Sequence, residues 1–492
     1  MSRKTALTCL LALSAFYCIA ELVPGRFVVT DEVYFKAPGR NWAATGRFAA
    51  PELKGGTSVV PPLTEVFFSY PPLYPFLFGV YTKVVGFGPR SCILYDLAIH
   101  LLLVWFGVSV ARLVLGVPMS VAVLCGALLL PLGHVGRPDE LGIVFALGAA
   151  LALRREVPLK FAVPIGGALL GLCCATSPGA GLFLGSLVAW EATLRERSHL
   201  RKLRNLVIMA LIALAVLALC IAPILMTHPL AYRQVILIGV GQTVAGNASA
   251  PYYSTRNAGF LHSYSYSWVD ALQILLVFGC LIFGLWCWRL DNNPESIAYS
   301  RFVAAAFSLL LLVVLMPGKF TYLWFLGSWL LIACVALGWR ISRSVPPSRW
   351  RPPLAFAVLV WLLVSMPYFR LKEILWTLPT DQSLTVNTKR VRDEVPVNAG
   401  VLTNEYWWAL ADRDSVYDTM FSNPGADAFD YVVLSANGSG RTAVPLLPLV
   451  PLGESKWQNT DDRLPSKPPR LFGLRFSRGS YGFGPYVLKK YK

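Results

Sequence analysis

Two adjacent carboxylates, Asp31 and Glu32, follow the first apolar run of the chain at about 5 to 23. They open the stretch TDEVYFKAPGRNWAATGRFAAPEL. Drawing a charge into a bilayer centre costs roughly 2.5 to 3.5 kcal/mol, so acids held at the end of an apolar run mark a functional site by default. Proton transfer is the chemistry a carboxylate pair offers there, and the pair is the first candidate for a catalytic centre. Two distant segments carry further charge at the ends of apolar runs. GHVGRPDELG supplies Arg137, Asp139 and Glu140, and MPGKFTYLWF supplies Lys319 and Tyr322.

Each of these residues also has a structural reading. Asp31 after Thr30 suits a helix N-cap with Glu32 in the first turn. Asp139 after Arg137-Pro138 suits a cap with proline at the helix start, and Lys319 suits a side chain snorkelling to headgroups. That all three fall on one side of a membrane weakens the joint structural reading.

The elements that must position them are set by composition. With 55% hydrophobic and 14% charged residues over 492 positions, the chain reads as a polytopic membrane protein rather than a water-soluble globule. A net charge of +17 would point to nucleic acid in a soluble protein. Here the basic residues fall in short loops between apolar runs, which is a topology signal, and no nucleic-acid partner is expected.

Apolar runs lie at about 5–23, 91–111, 117–133, 139–153, 160–175, 179–191, 205–226, 268–288, 301–316, 320–339 and 353–369. With Arg3 and Lys4 in the cytoplasm, alternation puts Arg112, the segment 154–160, RERSHLRKLR (195–204), RLDNNPESIAYSR (289–301) and RISRSVPPSRWR (340–351) inside. Each is net basic or balanced. The alternation requires that Pro71 to Gly86, short and proline-rich, lie along the outer surface as a juxtamembrane helix. The first run also fits a secretory signal peptide, Cys18-Ile19-Ala20 resembling a cleavage site; Asp31 faces the exterior in both cases. The runs read as free of charge at their centres, and no internal repeat is visible.

The expected fold is mainly α: a membrane helical bundle of about eleven spans over 1–369, with a first exoplasmic loop at about 24–90. A small exoplasmic α/β domain is expected over 370–492. Its strands are predicted at 400–402, 415–417, 430–435 and 486–489. All ten cysteines lie in or beside apolar runs, so no disulfide framework is implied. The five histidines have no HxxxH or CxxC partner, and no metal ligand set is assigned.

The loop 227–267 is rich in Tyr, Asn and Ser and carries Arg233 and Arg256. It suits sugar stacking and hydroxyl hydrogen bonds, or an interfacial aromatic belt. In the tail, TNEYWWALADRDSVYD suits a small core built on Trp407 and Trp408, or a cover over the site.

The order of the acidic pair, NWAATGRF, PPLYPFLFG, RLVLG, GRPD and GKFTYLWF resembles the GT-C superfamily. The closest branch is glycosyltransferase family 39 with the aminoarabinose transferases and protein O-mannosyltransferases, and the resemblance covers roughly 5–340. It implies transfer of a sugar from a polyprenyl-phosphate donor to a lipid, glycan or protein acceptor outside the cytoplasmic membrane, with inversion. Asp31 matches the acid that acts as general base, Glu32 would orient it or the acceptor, and Asp139 matches the second acidic position. Arg137 and Lys319 would meet the departing phosphate and Tyr322 would donate a hydrogen bond. Arg256, and Tyr74 of the PPLY run, complete the substrate-binding candidates.

The chain departs from the pattern at two places. Relatives carry an acidic or basic residue just before the PPLY run, some binding metal; here Ser69 and Tyr70 stand there and Glu65 is displaced, so a divalent metal cofactor is left open. Pro38-Gly39 is expected to interrupt the helix after the acidic pair. The alternative from another class is a transporter or flippase for a lipid-linked or anionic solute, with Asp31, Asp139 and Lys319 lining a pathway. A non-catalytic envelope scaffold is a third.

Overall fold

A computed structural model describes residues 3–22, 32–53, 71–130, 137–154, 156–227, 297–315, 323–341, 384–403, 406–413, 415–418 and 429–435. It also describes the short segments 456–459, 470–471, 474–475 and 485–491, and isolated positions at 229, 279, 281, 282 and 285. Nine of the eleven apolar runs coincide with described helices, namely α1 (Arg3–Leu22), α4 (Pro89–Ser109), α5 (Met119–Leu129), α6 (Pro138–Ala152), α7 (Leu159–Thr176), α8 (Pro178–Leu194), α9 (His199–Thr227), Ile297–Leu315 and Leu323–Ile341. The runs at 268–288 and 353–369 lie wholly or mostly outside the described residues. Among the described residues, Pro89–Val114, Leu159–Thr176 and His199–Thr227 are long and apolar enough to cross a membrane. The chain is a multi-pass membrane protein.

Close helix packing follows from small residues. A Cβ on Gly167 would stand 2.7 Å from the Met209 carbonyl oxygen, and one on Gly171 would stand 2.6 Å from that of Ala213. The Gly-x-x-x-Gly face of α7 therefore lets the α9 backbone approach, the arrangement small residues give helices in lipid. The pairing 167 with 209 and 171 with 213 makes α7 and α9 parallel, as required of two helices separated by one crossing.

Between α1 and α4 the chain forms α2 (Glu32–Thr45), a 3-10 turn (Pro51–Leu53) and α3 (Leu73–Val85). At 13 residues α3 spans roughly 20 Å, short of a hydrocarbon core of about 30 Å, and it packs on α2. The expected break at Pro38-Gly39 does not occur. Helix α2 runs through Pro38, and Gly39 meets α3 so closely that a Cβ would run into the Pro75 carbonyl. The pair marks a helix crossing, for which glycine is needed.

The tail forms a mixed five-stranded sheet of order β2-β1-β3-β7-β4, with β1 (Val401–Thr403), β2 (Val416–Asp418), β3 (Tyr431–Ser435), β4 (Lys456–Asn459) and β7 (Pro485–Tyr491). A two-stranded ribbon pairs β5 (Arg470–Leu471) with β6 (Leu474–Arg475). Strand β1 is parallel to both neighbours, Val401 facing Val416 and Tyr431, whereas β7 runs antiparallel to β3 with Val433 opposite Val487. Val401, Leu402, Val432, Val433 and Val487 are buried at its centre, and Trp407 and Trp408 are buried beside them, as the core reading of the TNEYWW segment expects.

Candidate active site

Helix α2 carries or touches three polar clusters, and a fourth lies beside them on α4 and α6. Its first residue is Glu32; Asp31 lies outside the described residues immediately before it. One turn on, Phe35 sits under the Arg137 guanidinium, 5.4 Å from ring centroid to Cζ. The GRPD segment is thereby brought against the helix that follows the acidic pair.

Arg137 donates through Nε to Asp139 Oδ2 at 2.9 Å, and Ser177 Oγ donates to Asp139 Oδ1 at 2.6 Å. Asp139 is 1% exposed. The local sequence explains this geometry: Pro138 starts α6 with Asp139 and Glu140 in its first turn, where acids meet the positive helix end. Ser177 caps α8 by accepting from the Ala180 amide at 3.3 Å. Asp139 therefore holds Arg137 in place and ties two helix starts together.

The second cluster is Lys36, Asp96 and Tyr74. Lys36 Nζ donates to Asp96 Oδ2 at 2.6 Å, with both side chains at 1% exposure or less. The Tyr74 hydroxyl donates to Asp96 Oδ1 at 3.2 Å. Tyr74, expected to bind substrate, is wholly buried and bonded to this pair. Burying two charges is repaid only with close geometry and further hydrogen bonds, and all three elements supply them.

In the third cluster His100 Nε2 donates to the Leu130 carbonyl at 2.9 Å, fixing the tautomer and turning Nδ1 toward Glu140 Oε1 at 3.4 Å. Both atoms are buried without an aligned hydrogen bond, so the pair is a close ionisable contact rather than a formed bond. Tyr17 of α1 stacks on His100 at 4.9 Å.

The fourth cluster centres on Glu52. Asn41 Nδ2 donates to its two oxygens at 3.3 and 3.0 Å, and Trp407 Nε1 of the tail donates to Oε1 at 3.3 Å. Arg40 Nη1 stands 4.0 Å away. Burial pushes the Glu52 carboxyl above its ordinary range, offset by its own backbone amide, Arg40, Asn41 and Trp407. With N–H donors on both oxygens, Glu52 does not fit a metal ligand. Among the described residues no three His, Cys, Asp or Glu side chains gather to hold a metal ion.

Of the predicted site residues, Arg137 and Asp139 meet each other, Arg137 also meets Phe35 of α2, Glu32 opens α2, and Tyr74 joins the Lys36 pair. Lys319, Tyr322 and Arg256 lie outside the described residues. Lys36, Asp96, His100, Ser177 and Glu52 were missed. The signal for two of them was present: Asp96 and His100 stand four apart inside the run 91–111, so that run is not free of charge. An ionisable residue within a span is itself a site hypothesis.

No family model matches the sequence, and no curated protein matches it. Among solved structures the chain is similar to ArnT from Cupriavidus metallidurans bound to undecaprenyl phosphate. The TM-score is 0.52 at 11% identity, over 98% of this chain and 97% of that one. The arabinofuranosyltransferase AftD from Mycobacteria is similar at a TM-score of 0.48 and 15% identity, over 99% of this chain and 40% of that one. The first likeness shows the fold, which this chain shares with ArnT over nearly its whole length.

Proposed function

We propose that the chain is a glycosyltransferase that moves a sugar from a polyprenyl-phosphate donor to a lipid, glycan or protein acceptor at the extracytoplasmic face of the cytoplasmic membrane. The observation that carries this reading is the placement of Arg137 against Phe35 of α2, one turn from Glu32, in a GT-C fold. A cation held against the helix that follows an acidic pair in the sequence is what the reaction needs. ArnT, the solved neighbour, holds undecaprenyl phosphate, and the same class of carrier is proposed here.

In this reading the acceptor hydroxyl oxygen attacks the anomeric carbon as the bond from that carbon to the phosphate oxygen breaks, with inversion. Asp31 takes the hydroxyl proton and Glu32 orients Asp31 or the acceptor. The polyprenyl phosphate leaves with the negative charge, met by Arg137 and Lys319, with Tyr322 donating a hydrogen bond. Asp139 keeps Arg137 aimed rather than reacting itself, and Arg256 contributes to sugar or acceptor binding. Residues 1–369 form the membrane module and 370–492 an extracytoplasmic domain.

Two measurements test this. Reporter fusions at Leu200 and Ser435 are expected to report opposite compartments; the same compartment for both overturns the orientation. Purified protein in liposomes is expected to consume a polyprenyl-phosphate sugar when given a cell-envelope extract. Binding of the carrier without turnover, accompanied by its movement between leaflets, would favour the transporter reading instead.

A further inference from the structure

We infer that Glu52 and Trp407 form a latch by which the tail holds α2, and that both are positioning residues for the site at the start of that helix. The effect on turnover rests on the reading above; the latch itself does not.

Two routes run from α2 to the tail. In the first, Asn41 fixes the 3-10 turn by donating to the Ala49 carbonyl at 2.9 Å and to both Glu52 oxygens, while Arg40 donates to Asn41 Oδ1 at 2.8 Å. Glu52 then accepts from Trp407, a residue 355 positions away. In the second, the Arg40 guanidinium stacks on Phe87 at 5.7 Å and Phe87 meets the Trp407 ring edge-on at 5.4 Å. Strand β2 packs on the same turn.

A buried carboxylate is a poor choice for holding two apolar surfaces together, since a well-packed hydrophobic group does so without a desolvation cost. What the carboxylate adds is direction, because Asn41 and Trp407 must both aim N–H groups at it. The contact therefore fixes the rotation and height of α2, and with them its first residue, Glu32. An error of about 1 Å in a reacting group can cost on the order of 100-fold in rate, so a helix that opens on Glu32 gains from such a clamp.

The test uses the full-length protein with Trp407→Phe, which keeps the ring and removes the N–H, and Trp407→Ala, which removes both. Amide hydrogen exchange is followed over 32–45, with 89–109 as the internal reference. The expected result is exchange about tenfold faster across α2 in Trp407→Phe, larger in Trp407→Ala, with 89–109 unchanged. Unchanged α2 exchange in a folded Trp407→Phe protein overturns the latch, as does an increase spread evenly over both segments. With a turnover assay in hand, Trp407→Phe is expected to lower kcat several-fold with carrier affinity unchanged; a change confined to the acceptor KM would make Trp407 an acceptor-selecting residue and overturn the positioning role. Absence of turnover in the wild-type protein would sink the transferase reading and leave the exchange result standing.

Discussion

Both ends of the helical bundle carry ion pairs, but they are built differently. At the α2 end four pairs with buried carboxylates gather on or beside one helix: Lys36 with Asp96, Arg40 with Glu52, Arg137 with Asp139 and His100 with Glu140. At the opposite end they clip helix termini. Arg195 donates to the Leu153 and Val157 carbonyls at 3.1 and 2.8 Å, closing the end of α6, and Arg301 grips Glu191 in a fork at 2.6 and 2.8 Å. Arg154 and Glu156 stand 3.9 Å apart in the open, and Arg197, Arg201 and Arg204 are exposed. Exposed basic groups cost little and set orientation. Buried, networked ones are expensive, and their concentration around one helix is the mark of a site.

The contrast can be broken by substitution. The largest effect is expected from Asp31→Asn, which keeps shape and removes the proposed proton acceptor: transfer should fall roughly 100-fold to 10,000-fold with insertion unchanged. Near-normal turnover would leave Asp31 a capping residue. Next comes Lys36→Met, which strips the buried Asp96 of its charged partner and should cost about 3 to 5 kcal/mol in detergent unfolding. Lys36→Met combined with Asp96→Leu should recover most of that stability, and failure to recover would show that the pair is not a self-contained unit. At the opposite end Arg301→Met leaves the buried Glu191 unpaired and should cost a similar amount, about 3 to 5 kcal/mol, but with no change in turnover; a loss of activity there would erase the distinction between the ends.

The smallest effect concerns pH. The folded-state pKa of Glu52 is raised by burial, so the folded chain binds this proton more tightly than the unfolded one. The stabilising contribution is present below the unfolded value of about 4.5 and is lost as pH rises through the folded value. Relative to wild type, Glu52→Gln should therefore gain stability as pH rises from that value toward neutrality. A difference in Tm independent of pH between about 4 and 8 would mean that Glu52 does not titrate abnormally.

What was legible in the sequence follows period and length. Long apolar runs gave α1, α4, α7 and α9 to within a few residues, except that α9 starts six residues earlier, inside the basic 195–204 segment. The predicted strands at 400–402 and 430–435 match β1 and β3 to within one residue. Strand β4 (KWQN) and the two-residue β5 and β6 were missed because such short polar pieces carry no period to detect. Pro38-Gly39 misled because proline argues for a helix end when read alone, whereas the crossing with α3 favours the helix through close backbone contact. The site was half legible. Arg137 and Asp139 stand next to their helix start and can be read locally, but Lys36 with Asp96 and Glu52 with Trp407 are joined only by the fold, across 60 and 355 positions.

The most direct test of the central claim is to label the protein in membranes with a photoreactive polyprenyl phosphate and map the modified peptides. Labelling that saturates, is displaced by unlabelled carrier, and falls within 32–53 and 137–140 is the predicted result. Displaceable labelling at 153–159 and 195–204 instead, or labelling that never saturates, would contradict a carrier site at the α2 end.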